Sequence, residues 1–212
     1  MRSNVRRAAV AALILAAALE SRPLTAQGPG DSPLPPPPLR PEAAAAALTR
    51  ADLAARGEFL VRMGACHDCH TPMKMGPNGP EPDMTRMLSG HPQDVVVPPP
   101  PPATDAWPAS FSATGTATSG PWGVSFTRNL TPDVETGLGG WTADEFVATI
   151  KSGRKQGRGR ALLPPMPWPQ YSGMPEEDLK AIFAYLKTIP AIRNKVPDPL
   201  PPPAPPAAAP KS

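Results

Sequence analysis

The chain has 212 residues, of which 35 are proline and only eleven aromatic, and a formal net charge of +3. That length holds one ordinary domain with unstructured extras, or at most two small domains, and so few aromatics leave a side-chain core short of bulk. The positive charge is no sign of nucleic-acid binding, because it sits at the start: beyond residues 1–26 the chain carries 17 basic and 17 acidic side chains.

The opening stretch, MRSNVRRAAVAALILAAALESRPLTAQ, places Arg2, Arg6 and Arg7 before an apolar run from Ala8 to Leu19, with small residues at Thr25 and Ala26. This is the layout of an export signal, residues 1–26, cleaved after Ala26, and it makes the periplasm the expected location. The apolar run is shorter than the ~18–20 residues that cross a bilayer, so any membrane association is expected to be peripheral, through a partner. Residues 27–41, QGPGDSPLPPPPLRP, form a Pro-rich spacer that favours extended polyproline II and builds no core. The same composition returns in residues 196–212, expected as a disordered tail, and around residues 95–107, expected as a surface insertion.

Between these segments, residues 42–195 carry three helical signals. The first runs from about Pro41 or Thr49 to Gly64, with Leu53, Leu60 and Val61 on one side. The second is WTADEFVATIKSG, where Thr142 and Glu145 make a capping box, Phe146, Val147 and Ile150 an apolar face, and Gly153 a left-handed stop. The third is MPEEDLKAIFAYLKTIP, with acids in its first turn, a stripe of Leu179, Ile182, Phe183 and Leu186, and Pro190 as its end. Only WGVSFT reads as extended, so the expected fold class is all-α.

The two cysteines of the chain lie in GACHDCHTPMKMG, within CHDCH. A structural zinc site wants four converging ligands, and Cys66, Cys69, His70 and His91 make an awkward set because His70 directly follows Cys69. A dithiol redox site belongs at the start of a helix after a strand in an α/β pattern, which is missing here. The remaining reading is covalent haem c: Cys66 and Cys69 bond the two vinyl groups of one macrocycle, and His70 supplies the fifth ligand to the iron. His67 is then a variable position facing solvent. A flat apolar cofactor also makes good the shortage of aromatic core, which couples folding to attachment.

A sixth ligand decides between electron transfer and chemistry at an open iron. Met166 stands between Pro165 and Pro167 in ALLPPMPWPQYSGM, a stiff loop suited to holding a thioether, a soft ligand that raises the potential. Trp168 and Tyr171 are expected to shield the pocket beside it, Met84 and Met87 to line it, and Met174 or His91 to be the alternative ligands. The basic run IKSGRKQGRGR supplies Lys151, Arg154, Lys155, Arg158 and Arg160, either to steer an acidic partner or to neutralise the cofactor's carboxylates.

Taken together, CHDCH, FTRNLTPDVETGLGGWTADEFVATIKSGR, PPMPW and EEDLKAIFAYLKTIP resemble bacterial cytochrome c domains, most of all those in the cytochrome subunits of membrane-associated alcohol and sugar dehydrogenases. The resemblance covers about residues 51–190. It implies a cytochrome c fold, haem on Cys66 and Cys69, His70 proximal, Met166 distal, and a crossing of the first and last helices at Gly57 near Phe183 and Tyr185. Those subunits usually carry several haem motifs and this chain has one; the Pro-rich insertion is a second departure. The implied activity is single-electron transfer between redox proteins, with a dehydrogenase or respiratory complex as donor and a terminal oxidase as acceptor. The alternatives are an electron-accepting subunit of a dehydrogenase complex, or a haem enzyme with an open iron site.

Overall fold

The computed structural model describes residues 49–202. The expected export signal and spacer lie outside these residues, as does the tail beyond Pro202.

Helix α1 (Arg50–Met63) starts where Thr49 and Asp52 form a reciprocal capping box and ends at Gly64. Its closest neighbour is α5 (Glu176–Leu186), and Gly57 makes that crossing possible. A Cβ on Gly57 would fall 2.6 Å from the Ala181 carbonyl carbon and 2.8 Å from Tyr185 Cβ. The close approach therefore rests on Ala181 and Tyr185. Phe183 instead points into the core, its ring 5.5 Å from that of Phe146. Helix α3 (Ala143–Ser152) begins at a Thr142–Glu145 capping box and ends at Gly153, whose φ of 65° suits glycine. Two short helices complete the set: α2 (Cys66–His70), and α4 (Trp168–Tyr171) just after the Pro-rich loop.

The described residues also contain five short strands, of which only the WGVSFT segment reads as extended in the sequence. β1 (Met73–Gly76) and β2 (Gly79–Pro82) make an antiparallel hairpin, pairing Met73 with Pro82 and Gly76 with Gly79. β3 (Ser110–Phe111), β4 (Ala117–Gly120) and β5 (Gly123–Phe126) make an antiparallel sheet in that order. Strands of two to four residues, such as MKMG and GPEP, are too short and too rich in Gly and Pro for an alternating apolar pattern to show.

Two apolar clusters result. The larger joins Val61 and Leu88 to Phe146, Ile150, Leu179, Ile182, Phe183 and Leu186. The smaller joins Ala117, Val124 and Phe126 to Val196. Val196 is buried and Leu200 exchanges two backbone hydrogen bonds with Val124, so the chain stays docked through the first residues of the segment expected as a tail. Residues 98–108 are exposed, without helix or strand. Among the described residues no helix is long and apolar enough to cross a membrane.

Candidate cofactor site

The helices, β5 and the loops beside them line a cavity of about 1400 Å³ that opens to solvent. Protein interiors are close-packed with few voids larger than a water, and ligand clefts are usually ~300–1,000 Å³. A hollow of this size is room for a large group. Leu60, Val61, Leu130, Phe146, Ile150 and Ile182 supply apolar walls, so the space suits a largely apolar group.

CHDCH opens onto this space. Ala65, with φ of 51°, turns the chain sharply between α1 and α2, and α2 then presents Cys66, Cys69 and His70 to the cavity. His70 Nδ1 lies 2.8 Å from the Arg128 carbonyl, which can only accept. The proton is therefore on Nδ1, and Nε2 keeps a free lone pair, the arrangement typical of a metal-ligating imidazole. Burial pushes His70 below the ordinary imidazole range, so that lone pair stays unprotonated. His67 does not line the cavity; it is half-buried and bonds Thr71 through Nδ1 at 3.1 Å.

Both cysteines are free thiols. Burial pushes Cys66 up to about 11 and raises Cys69 as well. A thiol made for disulfide exchange has its pKa lowered, so this pair suits anchorage better than redox exchange. Among the described residues no three His, Cys, Asp or Glu side chains converge to hold a metal ion, which removes the zinc arrangement. His91 is fully buried elsewhere, with Nδ1 2.9 Å from Thr116 Oγ1 and Nε2 3.0 Å from the Val95 carbonyl. Both ring nitrogens are engaged, so His91 is no axial ligand.

Met166, Met174 and Tyr171 line the same cavity. Trp168 does not: its indole covers Gly153, where a Cβ would come within 2.6 Å of the ring. The indole was expected to shield the pocket; it is held away because the glycine stop of α3 offers a flat seat for it. Met84 is largely exposed, and Met87 packs on the core without reaching the cavity. Met63, on the last turn of α1, also lines the cavity while remaining largely exposed.

The basic run divides by task. Lys151 Nζ donates to the carbonyls of Ser172 at 2.8 Å and Met174 at 2.7 Å, tying α3 to the chain after α4. Arg154 donates within its own loop to Gly159. Lys155 and Arg160 reach the cavity rim, where Arg128 and Lys195 join them from distant parts of the chain. Burial and the neighbouring Arg128 lower the Arg160 pKa, the mark of two cations crowded at one edge. Asp198 bridges Arg128 at 3.0 Å. That part of the rim suits acidic groups. Neither Arg128 nor Lys195 carries a local signal; they meet Arg160 only through the fold.

The fit to a haem is therefore good in four respects: apolar volume, a pair of free thiols, a histidine whose Nε2 is left free, and a thioether on the same cavity. The comparisons with known proteins agree with this class of site. No family model matches the sequence. The chain is similar to cytochrome c subunits of dehydrogenases, as its motifs imply. It is 27% identical over 147 residues to the alcohol dehydrogenase (quinone) cytochrome c subunit of Gluconobacter oxydans, covering 68% of this chain and 23% of that protein. It is 29% identical over 133 residues to the gluconate 2-dehydrogenase cytochrome c subunit of Pantoea cypripedii, covering 63% and 22%. With the fructose dehydrogenase cytochrome subunit of Gluconobacter japonicus it shares 33% identity over 85 residues, covering 40% and 17%. The chain thus spans less than a quarter of the length of these relatives.

Proposed function

We propose that this protein is a periplasmic electron carrier with one covalent haem c, held in a cytochrome c arrangement of α1, α3 and α5. The observation that carries the reading is one apolar cavity onto which Cys66, Cys69, His70 and Met166 all open. Bound there, the haem supplies a one-electron couple. Cys66 and Cys69 anchor it, and His70 offers Nε2 to the iron because Arg128 holds Nδ1. Met166 offers its sulfur from the Pro-rich loop, with Met174 as the neighbouring thioether. Arg128, Lys155, Arg160 and Lys195 at the rim would pair with the cofactor's carboxylates. The apolar walls would seat the macrocycle.

Electrons come from a dehydrogenase or respiratory complex and pass to a terminal oxidase. A second reading, an electron-accepting subunit within a dehydrogenase complex, is favoured by the names of the relatives; co-purification with such an enzyme supports it. An enzyme with an open iron is disfavoured by the thioethers on the cavity. Residues 1–26 direct export, and the mature chain starts at Gln27, which mass spectrometry of periplasmic protein checks.

The deciding experiment is a redox and optical titration of the matured protein beside Met166→Ala. The variant is expected to lose the ferric methionine–iron charge-transfer band and to fall in potential. An unchanged spectrum removes Met166 as ligand, and mature protein without bound porphyrin removes the whole reading.

A further inference from the structure

Four of the seven residues Pro164–Gln170 are prolines, which have no N–H to donate. The loop that carries Met166 therefore depends on a few contacts for its position. Ahead of Met166, Ser125 Oγ donates to the Pro164 carbonyl at 2.7 Å. Behind it, Lys151 holds the carbonyls of Ser172 and Met174. These two anchors lead to β5 and α3. A third leads to the cysteine motif: the Tyr171 hydroxyl donates to the carbonyl of Gly64. Among the described residues no other hydrogen bond joins residues 164–174 to residues 64–70.

Gly64 closes α1, where carbonyls lack partners within the helix. It also stands beside the attachment point, since a Cβ there would lie 3.6 Å from Cys66 Sγ and 3.8 Å from the Tyr171 ring. The phenol thus spans from the methionine loop to the turn that presents Cys66. The cysteine side holds its shape without it: Gly64 N bonds Leu60 O at 2.8 Å, Ala65 N bonds Arg62 O at 3.1 Å, Asp68 N bonds Ala65 O at 3.1 Å, and Arg128 O fixes His70. The loop has backbone bonds of its own, Met166 N to Leu163 O at 3.3 Å and Gln170 N to Pro167 O at 3.1 Å, but these shape it locally; its tie to the Gly64 turn is the Tyr171 hydroxyl.

We infer that Tyr171 is a positioning residue for Met166: its hydroxyl ties the Pro-rich loop to the Gly64 turn and so keeps the methionine sulfur in reach of an iron held by His70. The inference rests on Met166 being the second axial ligand. Loss of the hydroxyl loosens the thioether and leaves the cysteine and histidine attachments intact.

The test uses full-length matured protein and imidazole as a competing ligand for ferric iron. Tyr171→Phe is expected to carry wild-type amounts of covalent haem, to weaken the methionine–iron band and to bind imidazole about fivefold more tightly, the equilibrium equivalent of one net hydrogen bond. Val124→Ala, which thins the smaller apolar cluster, serves as the destabilised control and is expected to lower the melting temperature without changing imidazole affinity. Wild-type imidazole affinity in Tyr171→Phe, with tight binding in Met166→Ala, overturns the inference alone. Lost covalent haem in Tyr171→Phe overturns it too, because the phenol then serves the attachment turn. An unchanged Met166→Ala overturns the axial assignment and this inference with it.

Discussion

Gly57→Ala tests the frame on which the site hangs. The added methyl would lie 2.6 Å from the Ala181 carbonyl carbon and 2.8 Å from Tyr185 Cβ, and closer still to the Ala181 oxygen. Carbon atoms rest at ~3.5–4.0 Å, so α1 and α5 must part by about 1 Å. No side-chain rotation relieves the clash, because Ala181 meets it with backbone. Overpacking of this kind costs ~1–3 kcal/mol, and the rigid contact puts it at the upper end. Alanine is the better helix former by about 1 kcal/mol, so the two effects oppose each other and a net loss of about 2 kcal/mol is expected. For a domain of this size that lowers the melting temperature by about 4–8 °C. Thermal unfolding of the matured protein, followed by circular dichroism, measures it. Equal or higher stability in Gly57→Ala would refute the crossing, since propensity alone would then have decided the outcome.

Three further perturbations read other parts of the structure. Replacing both Cys66 and Cys69 by Ala blocks attachment and leaves the cavity of about 1400 Å³ without its occupant, so near-ultraviolet circular dichroism and cooperative unfolding should both be lost; a sharp melt in that variant would contradict this. Thr142→Ala removes the capping box of α3 and should cost about 1 kcal/mol in denaturant unfolding, with the haem spectrum unchanged. His91 is pushed below the ordinary imidazole value by burial, with Arg86 adding to it against the Val95 carbonyl and Asp94. The folded state therefore binds fewer protons than the unfolded one, so the stability that neutral His91 confers is whole above about pH 6.5 and drains away as pH falls toward the folded value. His91→Gln should flatten that acid slope in denaturant titrations; an unchanged slope would assign it to other groups.

The parts of the fold legible in the sequence are those where one local signal decides. Thr142, Glu145 and Gly153 bound α3 where their chemistry says, and Leu179, Ile182, Phe183 and Leu186 bury the stripe of α5 as spaced. CHDCH and Met166 reach one cavity because each motif carries its own geometry. What stayed hidden depends on distant partners. The strands are set by turns and by docking against Leu200, so while WGVSFT reads as extended, four residues such as ATSG or MKMG announce little alone. His91, in a stretch that reads as a turn, is fully buried because Thr116 and Val95 meet both ring nitrogens. Asn194 looks like a linker residue, yet its buried amide donates to Ser89 O and His91 O and accepts from Gln93 N. The cationic rim joins residues from three separated segments, and no window of sequence holds them together.

The segment FTRNLT explains why a motif so far from CHDCH travels with it in the resemblance. Thr127 O accepts from His91 N, and Leu130 N donates to Leu88 O, which seats the segment on the chain after the β1–β2 hairpin. Between them the Arg128 carbonyl faces His70 Nδ1 from 58 residues away. The Arg128 guanidinium meanwhile donates to Val196 O at 3.1 Å and Pro197 O at 3.3 Å, and bridges Asp198. Asn129 adds a bond to Ile192 O at 2.8 Å. One short run of backbone therefore sets the tautomer of His70, while its side chains hold residues 192–198 at the cavity rim. A backbone carbonyl can do the first job for any residue at position 128; only a guanidinium there can also span three acceptors and still face the rim. That combination ties the orientation of the imidazole to the docking of residues 192–198, so a change that frees the strap would be felt at His70 without touching it.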